Sequence, residues 1–331
     1  MRLLVTGGMG FIGSNFIRHM LTSYEDINIT NLDRLSYGSN PANLHDIENT
    51  PHYDFIRGNI CDDAVSKLMR DAEAVINFAA ETHVDRSISD PKAFHESNTA
   101  GVLNLLEACR LHDLRYLQVS TDEVYGSAPS DHAFVEHDML DPSSPYSASK
   151  GAADLFVNAY RKTYGLNTFV TRCTNNFGPY QFPEKFIPKA IIRASLGLPI
   201  PIYGSGHQVR DWIHVGDHCE ALDLVLRHGK PGEIYNIAGG NQLENIRVVE
   251  LVLHIMNKPQ SLIQRVEDRP GHDFRYSLDT SKITRELDWK PKRSFEEALR
   301  ETVEWYLKNQ SWWRPIADER VLSATPWKEK W

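Results

Sequence analysis

"VTGGMGFIG", residues 5–13, decides how the rest of the chain is read. An apolar run ends in a glycine cluster, and a helix-compatible segment begins at once. Gly8, Gly10 and Gly13 fit GxGxxG, and Gly7, Gly10 and Gly13 fit the related GxxGxxG. Glycine permits a tight turn and lets backbone approach a pyrophosphate, which the first amides of the following helix can hold. In that arrangement Gly7, Gly10, Phe11, Ile12 and Gly13 are the expected phosphate contacts. A trio of glycines alone also suits a structural turn. Asp33 sharpens the reading, because it closes the next apolar run twenty residues after Gly13, where a carboxylate can accept both hydroxyls of an adenosine ribose.

Working outward, short apolar runs recur at 3–6, 27–33, 53–58, 74–80, 115–120 and 167–172, with helical-length segments at 11–24, 92–111 and 146–164. Strands alternating with helices predict an α/β fold, a Rossmann-type doubly wound parallel sheet. After about residue 172 the alternation weakens and Pro/Gly-rich stretches appear, such as "GPYQFPEKFIP" 178–188 and "GLPIPIYGSG" 197–206. This predicts an NAD-binding domain over 1–172 carrying the catalytic residues. A smaller mixed α/β lobe over 173–331 would bind mainly substrate, and segments of it can return to the first domain.

With 331 residues and 41% apolar content the chain can bury a large core. The net charge of −8 and the absence of any dense Lys/Arg block argue against a nucleic-acid partner. Cys61, Cys109, Cys173 and Cys219 form no CxxC pair, which points to a reduced compartment without a thiolate zinc site. No apolar stretch has the length to cross a bilayer, and "MRLLVT" 1–6 leaves no room for a signal peptide before the glycine turn. The expected location is the cytoplasm, with no membrane partner.

Asp33 favours NAD over NADP, since a 2′-phosphate beside it would be repelled; Arg34 keeps the phosphate-clamping alternative open. "GNICDD" 58–63 brings Asn59 and Ile60 toward the adenine edge, or is a polar turn with Asp62 as a helix cap. In "FAAETHVDRS" 78–87, Ala79 and Ala80 let a cofactor lie against backbone, and His83, Asp85 and Arg86 follow where substrate would be met. A solvated loop with local ion pairs is the plainer alternative.

"PYSASK" 145–150 sets Tyr146 and Lys150 four apart on one helix face. A tyrosine holds its proton far above neutral pH, and a neighbouring ammonium, helped by a positive nicotinamide ring, favours the phenolate and makes it a base. Lys150 can also hold the nicotinamide ribose. Thr121 is the expected hydrogen-bond partner of the substrate oxygen, with Ser120 as competitor. Alcohol oxidation needs no more than these, yet Asp122 and Glu123 follow directly in "STDEVYG" 120–126. A new ketone acidifies the neighbouring C–H, so one carboxylate can remove that proton while a second, protonated carboxyl donates to a departing hydroxyl. The pair therefore suggests dehydration through a transient ketone. A metal site fits less well, since no cluster of His or further carboxylates surrounds it.

The turn, Tyr146, Lys150 and Thr121 together resemble the extended short-chain dehydrogenase/reductase family over nearly the whole chain. Five blocks in order, "FAAETHVDRS" 78–87, "STDEVYG" 120–126, "NNFGPYQFPEKFIP" 175–188, "VRDWIHVGDH" 209–218 and "RPGHDFRYSLD" 269–279, resemble the dTDP-glucose 4,6-dehydratases within it. That resemblance implies C4 oxidation of the sugar nucleotide with Tyr146 as base, C5 deprotonation by Glu123, protonation of the leaving C6 hydroxyl by Asp122, and NAD regenerated in each cycle. It also implies substrate contacts from His83, Asp85, Thr121, Asn175, Lys185, Phe186, Pro201, Tyr203 and Asn245, with Arg210 and Arg275 as diphosphate clamps. Helices matching 92–111 and 146–164 would form a homodimer interface. The chain departs from the family pattern at Thr82 (usually serine), Phe177 (usually tyrosine) and Asn59 (usually aspartate). Rival readings are a UDP-sugar 4-epimerase, a dehydratase for another nucleotide, and a non-catalytic NAD-binding protein.

Near the end, "SFEEALRETVEWYLKNQSWW" 294–313 predicts an amphipathic helix packing through Phe295, Ala298, Leu299, Val303, Trp305 and Tyr306. Another helix is expected from about Thr280. The tail 314–331 lacks periodicity and reads as mobile or as packing across a subunit boundary.

Overall fold

The computed structural model describes residues 1–330. Seven strands form its main sheet: β1 (Arg2–Thr6), β2 (Asn28–Asp33), β3 (Tyr53–Arg57), β4 (Ala74–Asn77), β5 (Arg115–Thr121), β6 (Thr168–Cys173) and a late strand, Ile234–Ile237. The late strand is β10, after β7 (Asn175–Phe177), β8 (Ile200–Tyr203) and β9 (Val209–His214). The order is β10-β6-β5-β4-β1-β2-β3, every pairing parallel. A parallel sheet needs both faces covered, which is why the central strands read as continuous apolar runs. Buried clusters around Phe16, Ile17 and Leu222 on one face, and Leu105, Tyr116 and Val157 on the other, supply that cover.

Helices follow the strands: α1 (Phe11–Ser23), α2 (Val65–Leu68), α3 (Val84–Ser89), α4 (Pro91–His95), α5 (Gly101–His112) and α6 (Pro145–Tyr164). The segment expected as one helix over 92–111 is broken by a wider π-type turn at Glu96–Ala100. The inserted residue turns Asn98 inward, where its side chain bonds both the N–H and C=O of Glu81 and the Ser149 hydroxyl. Such a turn is a recurring device at functional sites. α6 is closed at both ends: Ser144 and Ser147 form a reciprocal capping box, Pro145 opens the first turn, and Gly165 ends it in the left-handed region.

β10 brings the second half of the chain back to the main sheet, edged against β6. The rest of that half builds a mixed lobe. β11 (Gln242–Glu244) runs antiparallel to β9, β7 runs parallel to it, and β12 (Ile263–Val266) pairs with β8. α7 (Phe186–Ser195), α8 (Val215–His228), α9 (Asn245–Ile255), α10 (Ser281–Leu287), α11 (Phe295–Lys308) and α12 (Gln310–Trp313) complete the set. α8 packs beside α1 on the main sheet, while α7, α9 and α11 enclose a second core. The helix expected over 294–313 stops at Lys308 and resumes as α12, and its predicted packing residues are buried, Trp305 partly. Of the tail expected over 314–331, residues 314–330 fold onto their own chain, with Val321, Leu322 and Trp327 buried, and Trp331 lies outside the described residues. Those few apolar anchors are too sparse to show as periodicity.

Candidate active site

The sheet order reverses between β1 and β4, and the crevice above the carboxyl ends of these strands is where an open α/β sheet binds its ligand. A cavity opens there, lined by Gly7, Gly10, Phe11, Ile12 and Gly13, by Asp33 at the end of β2, and by Asn59, Ile60, Ala79 and Ala80. Every cofactor-contact candidate read from the sequence faces it, with Tyr146 and Lys150 at the other end. Gly7 has a φ of 71°, and a Cβ there would lie 2.5 Å from the Ala79 amide nitrogen, so only glycine lets β1 turn this close to β4. Gly13 passes equally close to Gly7, fastening the first turn of α1 to the strand end.

α1 begins with no side-chain cap and no acidic residue in its first turn. Its leading amides are left to an anion from outside the chain, as a pyrophosphate site requires. The Asp33 carboxylate accepts from the Met9 amide at 3.0 Å, the Leu35 amide at 2.7 Å and Ser39 Oγ at 3.0 Å. These bonds fix its direction at the adenosine end. Arg34, the possible phosphate clamp, lines the cavity but is paired with buried Glu81, which also takes Arg86 at 3.0 Å. The glycine cradle, the uncapped helix and Asp33 together fit an NAD molecule.

The second cavity adjoins the first. Glu123, Asn175, Glu184 and Lys185 line both, so the two share a wall. His83, Asp85, Phe186, Pro201, Tyr203, Arg210 and Asn245 line the second, as their sequence blocks led one to expect. Arg275 does not. Its guanidinium turns away to Gln242 Oε1 at 2.9 Å and the His132 carbonyl at 2.8 Å, because the backbone bridge between Arg275 and Val209 points it outward. Arg269, six residues earlier in the same block, is the arginine that enters the cavity. Asp85 holds it: Arg269 Nη1 donates to Asp85 Oδ1 at 2.7 Å, and the Tyr203 hydroxyl donates to Oδ2 at 3.0 Å. Asp85 thus reaches the wall chiefly as the anchor of a cation. Lys189 and Tyr276 are further lining residues that sequence reasoning missed. Lys189 reads as one more position on an amphipathic helix, yet it is buried and burial lowers its ammonium to about 8.

In the first cavity β5 ends in Ser120 and Thr121, the short 3-10 turn after it (Asp122–Tyr125) delivers Asp122 and Glu123, and α6 delivers Tyr146 and Lys150; Glu123 also lines the second cavity. Thr121 Oγ1 donates to Asp122 Oδ1 at 3.2 Å and lies within hydrogen-bond reach of the Tyr146 phenol. Asp122 Oδ2 is buried with no partner among the described residues, and Ser120 Oγ is likewise unmatched. An unmatched buried polar atom is costly and marks a place for a ligand group. Burial, then the neighbouring Glu123 charge, holds the Asp122 carboxyl well above its ordinary value. Burial also raises Glu123, but Arg269 and Arg210 pull it back. The two carboxyls are therefore pushed apart in the sense an acid and a base require.

Tyr146 differs from the expectation. Burial first and the Glu123 charge second push its phenol well above the ordinary tyrosine value. Lys150 does not offset this: burial lowers it, and its Nζ donates to the Val119 carbonyl at 2.7 Å. Lys150 is thus placed to hold position on β5, and a nicotinamide ring bound beside Tyr146 would supply the positive charge that a phenolate needs.

A parallel seven-stranded sheet with a glycine cradle and a Thr/Tyr/Lys set defines the extended short-chain dehydrogenase/reductases, and the added carboxyl pair defines their sugar-nucleotide dehydratases. The chain belongs to that class: the GDP-mannose 4,6 dehydratase family matches residues 4–302. Within it the chain belongs to the dTDP-glucose 4,6-dehydratase family, being 46% identical over 98% of each chain to the enzyme of that name from Streptomyces niveus. It is 45% identical to the corresponding enzyme of Salmonella typhimurium over 94% of each. The dTDP-glucose 4,6-dehydratase of Streptomyces venezuelae, solved with NAD and dTDP bound, superposes with a TM-score of 0.94 at 45% identity, over 96% of this chain and 100% of that one. The UDP-glucose 4-epimerase of Thermus thermophilus, solved with NAD, shares the fold at 32% identity and a TM-score of 0.86, over 93% and 100%.

Proposed function

We propose that the protein is an NAD-dependent hydro-lyase converting dTDP-glucose to dTDP-4-keto-6-deoxyglucose. The observation that carries this reading is Asp122 Oδ2, buried and unmatched in the first cavity next to Glu123, which lines both cavities. An epimerase, which needs only the C4 ketone, has no use for that pair.

Bound NAD supplies a reversible two-electron acceptor next to the sugar. Tyr146, as phenolate, takes the proton of the C4 hydroxyl, and Thr121 holds the same oxygen in place. Lys150 keeps the ribose and the tyrosine in register from its anchor on β5. Once C4 is a ketone, the C5–H is acidified and Glu123 removes that proton. Asp122, kept protonated by burial, donates to the C6 hydroxyl as it leaves as water. Glu123 then returns its proton to C5 when C6 is reduced. Arg210, buried, and Arg269, largely enclosed, line the second cavity and face the diphosphate. Pro201, Tyr203 and Phe186 enclose the base, with Asn175, Asn245 and Lys185 completing the polar contacts. On this reading residues 1–172 carry cofactor and chemistry, and the nucleotide lobe over 173–331 lends β10 and α8 back to the first unit.

The protein is further assigned as a homodimer. Leu155 and Phe156 on α6 and Leu111 on α5 are large apolar side chains left exposed on adjacent helices, at 61%, 36% and 69%. Among the described residues no helix is long and apolar enough to cross a membrane.

The deciding experiment mixes purified protein, without added cofactor, with dTDP-glucose and follows product mass. Catalytic loss of one water supports the reading. Product of unchanged mass with an inverted C4 would identify an epimerase. Unchanged substrate even with added NAD, but turnover of UDP-, GDP- or CDP-sugars, would move the nucleotide assignment.

A further inference from the structure

The segment after α12 crosses the outside of the second cavity. Two cations one turn apart on α7 hold its backbone: Lys189 Nζ donates to the Ser323 carbonyl at 3.1 Å and Arg193 Nη1 to the Leu322 carbonyl at 2.6 Å. The Val321 amide donates to Asp318 at 2.8 Å, closing a turn, and Leu322 enters the core beneath α7. Beyond it, the short turn at Pro326–Lys328 packs on α3, the helix that carries Asp85. Trp327 is 8% exposed and meets the Tyr203 ring edge-on, centroids 4.8 Å apart at 80°. Tyr203 in turn bonds Asp85, which holds Arg269.

We propose that residues 318–330 form a strap belonging to the nucleotide site, in which Trp327 acts as a positioning residue: it sets Tyr203 and, through it, the Asp85–Arg269 pair, and so sets affinity for the nucleoside diphosphate. The inference rests on the nucleotide-sugar reading of the second cavity. Trp327 does not line that cavity, so its effect is transmitted through Tyr203 and through α3. The carboxylate between Tyr203 and Arg269 makes the geometry sensitive. A tyrosine free to swing leaves Asp85 Oδ2 without its donor, and Arg269 is then no longer held on line with a diphosphate. Tyr146 lines the first cavity and is not touched, and Arg269 stays inside the second cavity with its charge still near Glu123, so only its alignment on the diphosphate changes. The strap therefore controls binding and leaves the chemical step alone.

The test compares the wild-type holoenzyme with Trp327→Ala and Trp327→Phe. It measures dTDP affinity by calorimetry, KM and kcat for dTDP-glucose, and thermal stability. Losing the aromatic contact should weaken dTDP and raise KM by about five- to tenfold, with kcat within about twofold of wild type, and phenylalanine should restore most of it. In the wild type, dTDP should slow amide hydrogen exchange over 318–330, because coupling between strap and ligand must be reciprocal. This second reading holds even if Trp327→Ala does not fold. An unchanged dTDP affinity in folded Trp327→Ala, a fall in kcat matching the rise in KM, or strap exchange indifferent to dTDP would overturn the proposal. A wild type that binds no dTDP would overturn both this and the nucleotide assignment. A wild type that binds and turns over dTDP-glucose with an indifferent strap would overturn this one alone.

Discussion

Asp122 and Glu123 are adjacent in the chain and opposite in task, and the difference comes from what surrounds each. Asp122 is buried just after β5 with one oxygen unmatched, whereas the charges of Arg269 and Arg210 act on Glu123. Glu123→Gln should abolish solvent deuterium exchange at C5 by at least about 100-fold while C4 oxidation still reduces the nicotinamide. Tyr146→Phe should suppress that reduction itself, by a similar factor in absorbance-monitored single turnover. The turnover profile should fall on the acid side as Glu123 takes up a proton, at a pH above the ordinary glutamate value because burial raises it. Asp122 also governs stability. The native protein keeps its proton to higher pH than the unfolded chain does, so folding stability declines as pH rises from about 3.8 toward the raised native value. Asp122→Asn should remove that decline: its Tm advantage over wild type should be absent in acid and widen toward neutral pH, at the cost of activity. Equal Tm differences across that range would contradict the assignment. These residues were legible in the sequence because their chemistry is local to contiguous blocks. Arg269 and Arg275 were not told apart, because an irregular segment has no period to say which side chain faces inward.

At the scale of elements, the six early strands and the helical segments 11–24 and 146–164 stand where apolar runs and glycine punctuation placed them. β10 escaped notice: four residues with little to mark them become a sheet edge only because β6 is there to pair. The break in the 92–111 helix escaped too, since a π-type turn leaves the sequence pattern almost intact while moving Asn98 into the core. The β1–α1 turn is the element on which cofactor binding depends most. Gly7→Ala would force a Cβ against the Ala79 backbone at a φ of 71°, so the variant should be purified with little or no nicotinamide. Cofactor released on denaturation measures this; full loading would count against the cradle. At α6, Ser144→Ala should lower stability by about 1 kcal/mol in denaturant titration, the usual loss of an N-cap. It should also lower kcat, since Tyr146 stands two residues inside that cap.

For the whole molecule, the exposed apolar face of α5 and α6 is where self-association is expected. Leu155→Asp should convert a dimer to a monomer in light scattering, with NAD content unchanged. A wild-type monomer at micromolar concentration would refute the interface outright. That segments of the second half can return to the first unit was readable from the chain, but that β10 and α8 are those segments, and the path of the tail, were not. Both are settled by contacts between residues far apart in sequence, and periodicity carries no information about those.

The uncapped start of α1 has a consequence beyond catalysis. A helix whose first turn has no capping side chain among the described residues is an incomplete structure, and a molecule captured there completes the fold as well as the site. Cells short of nicotinamide dinucleotide would then hold less of the enzyme as well as a slower one, because newly made chains waiting for their cofactor would spend longer open to proteases.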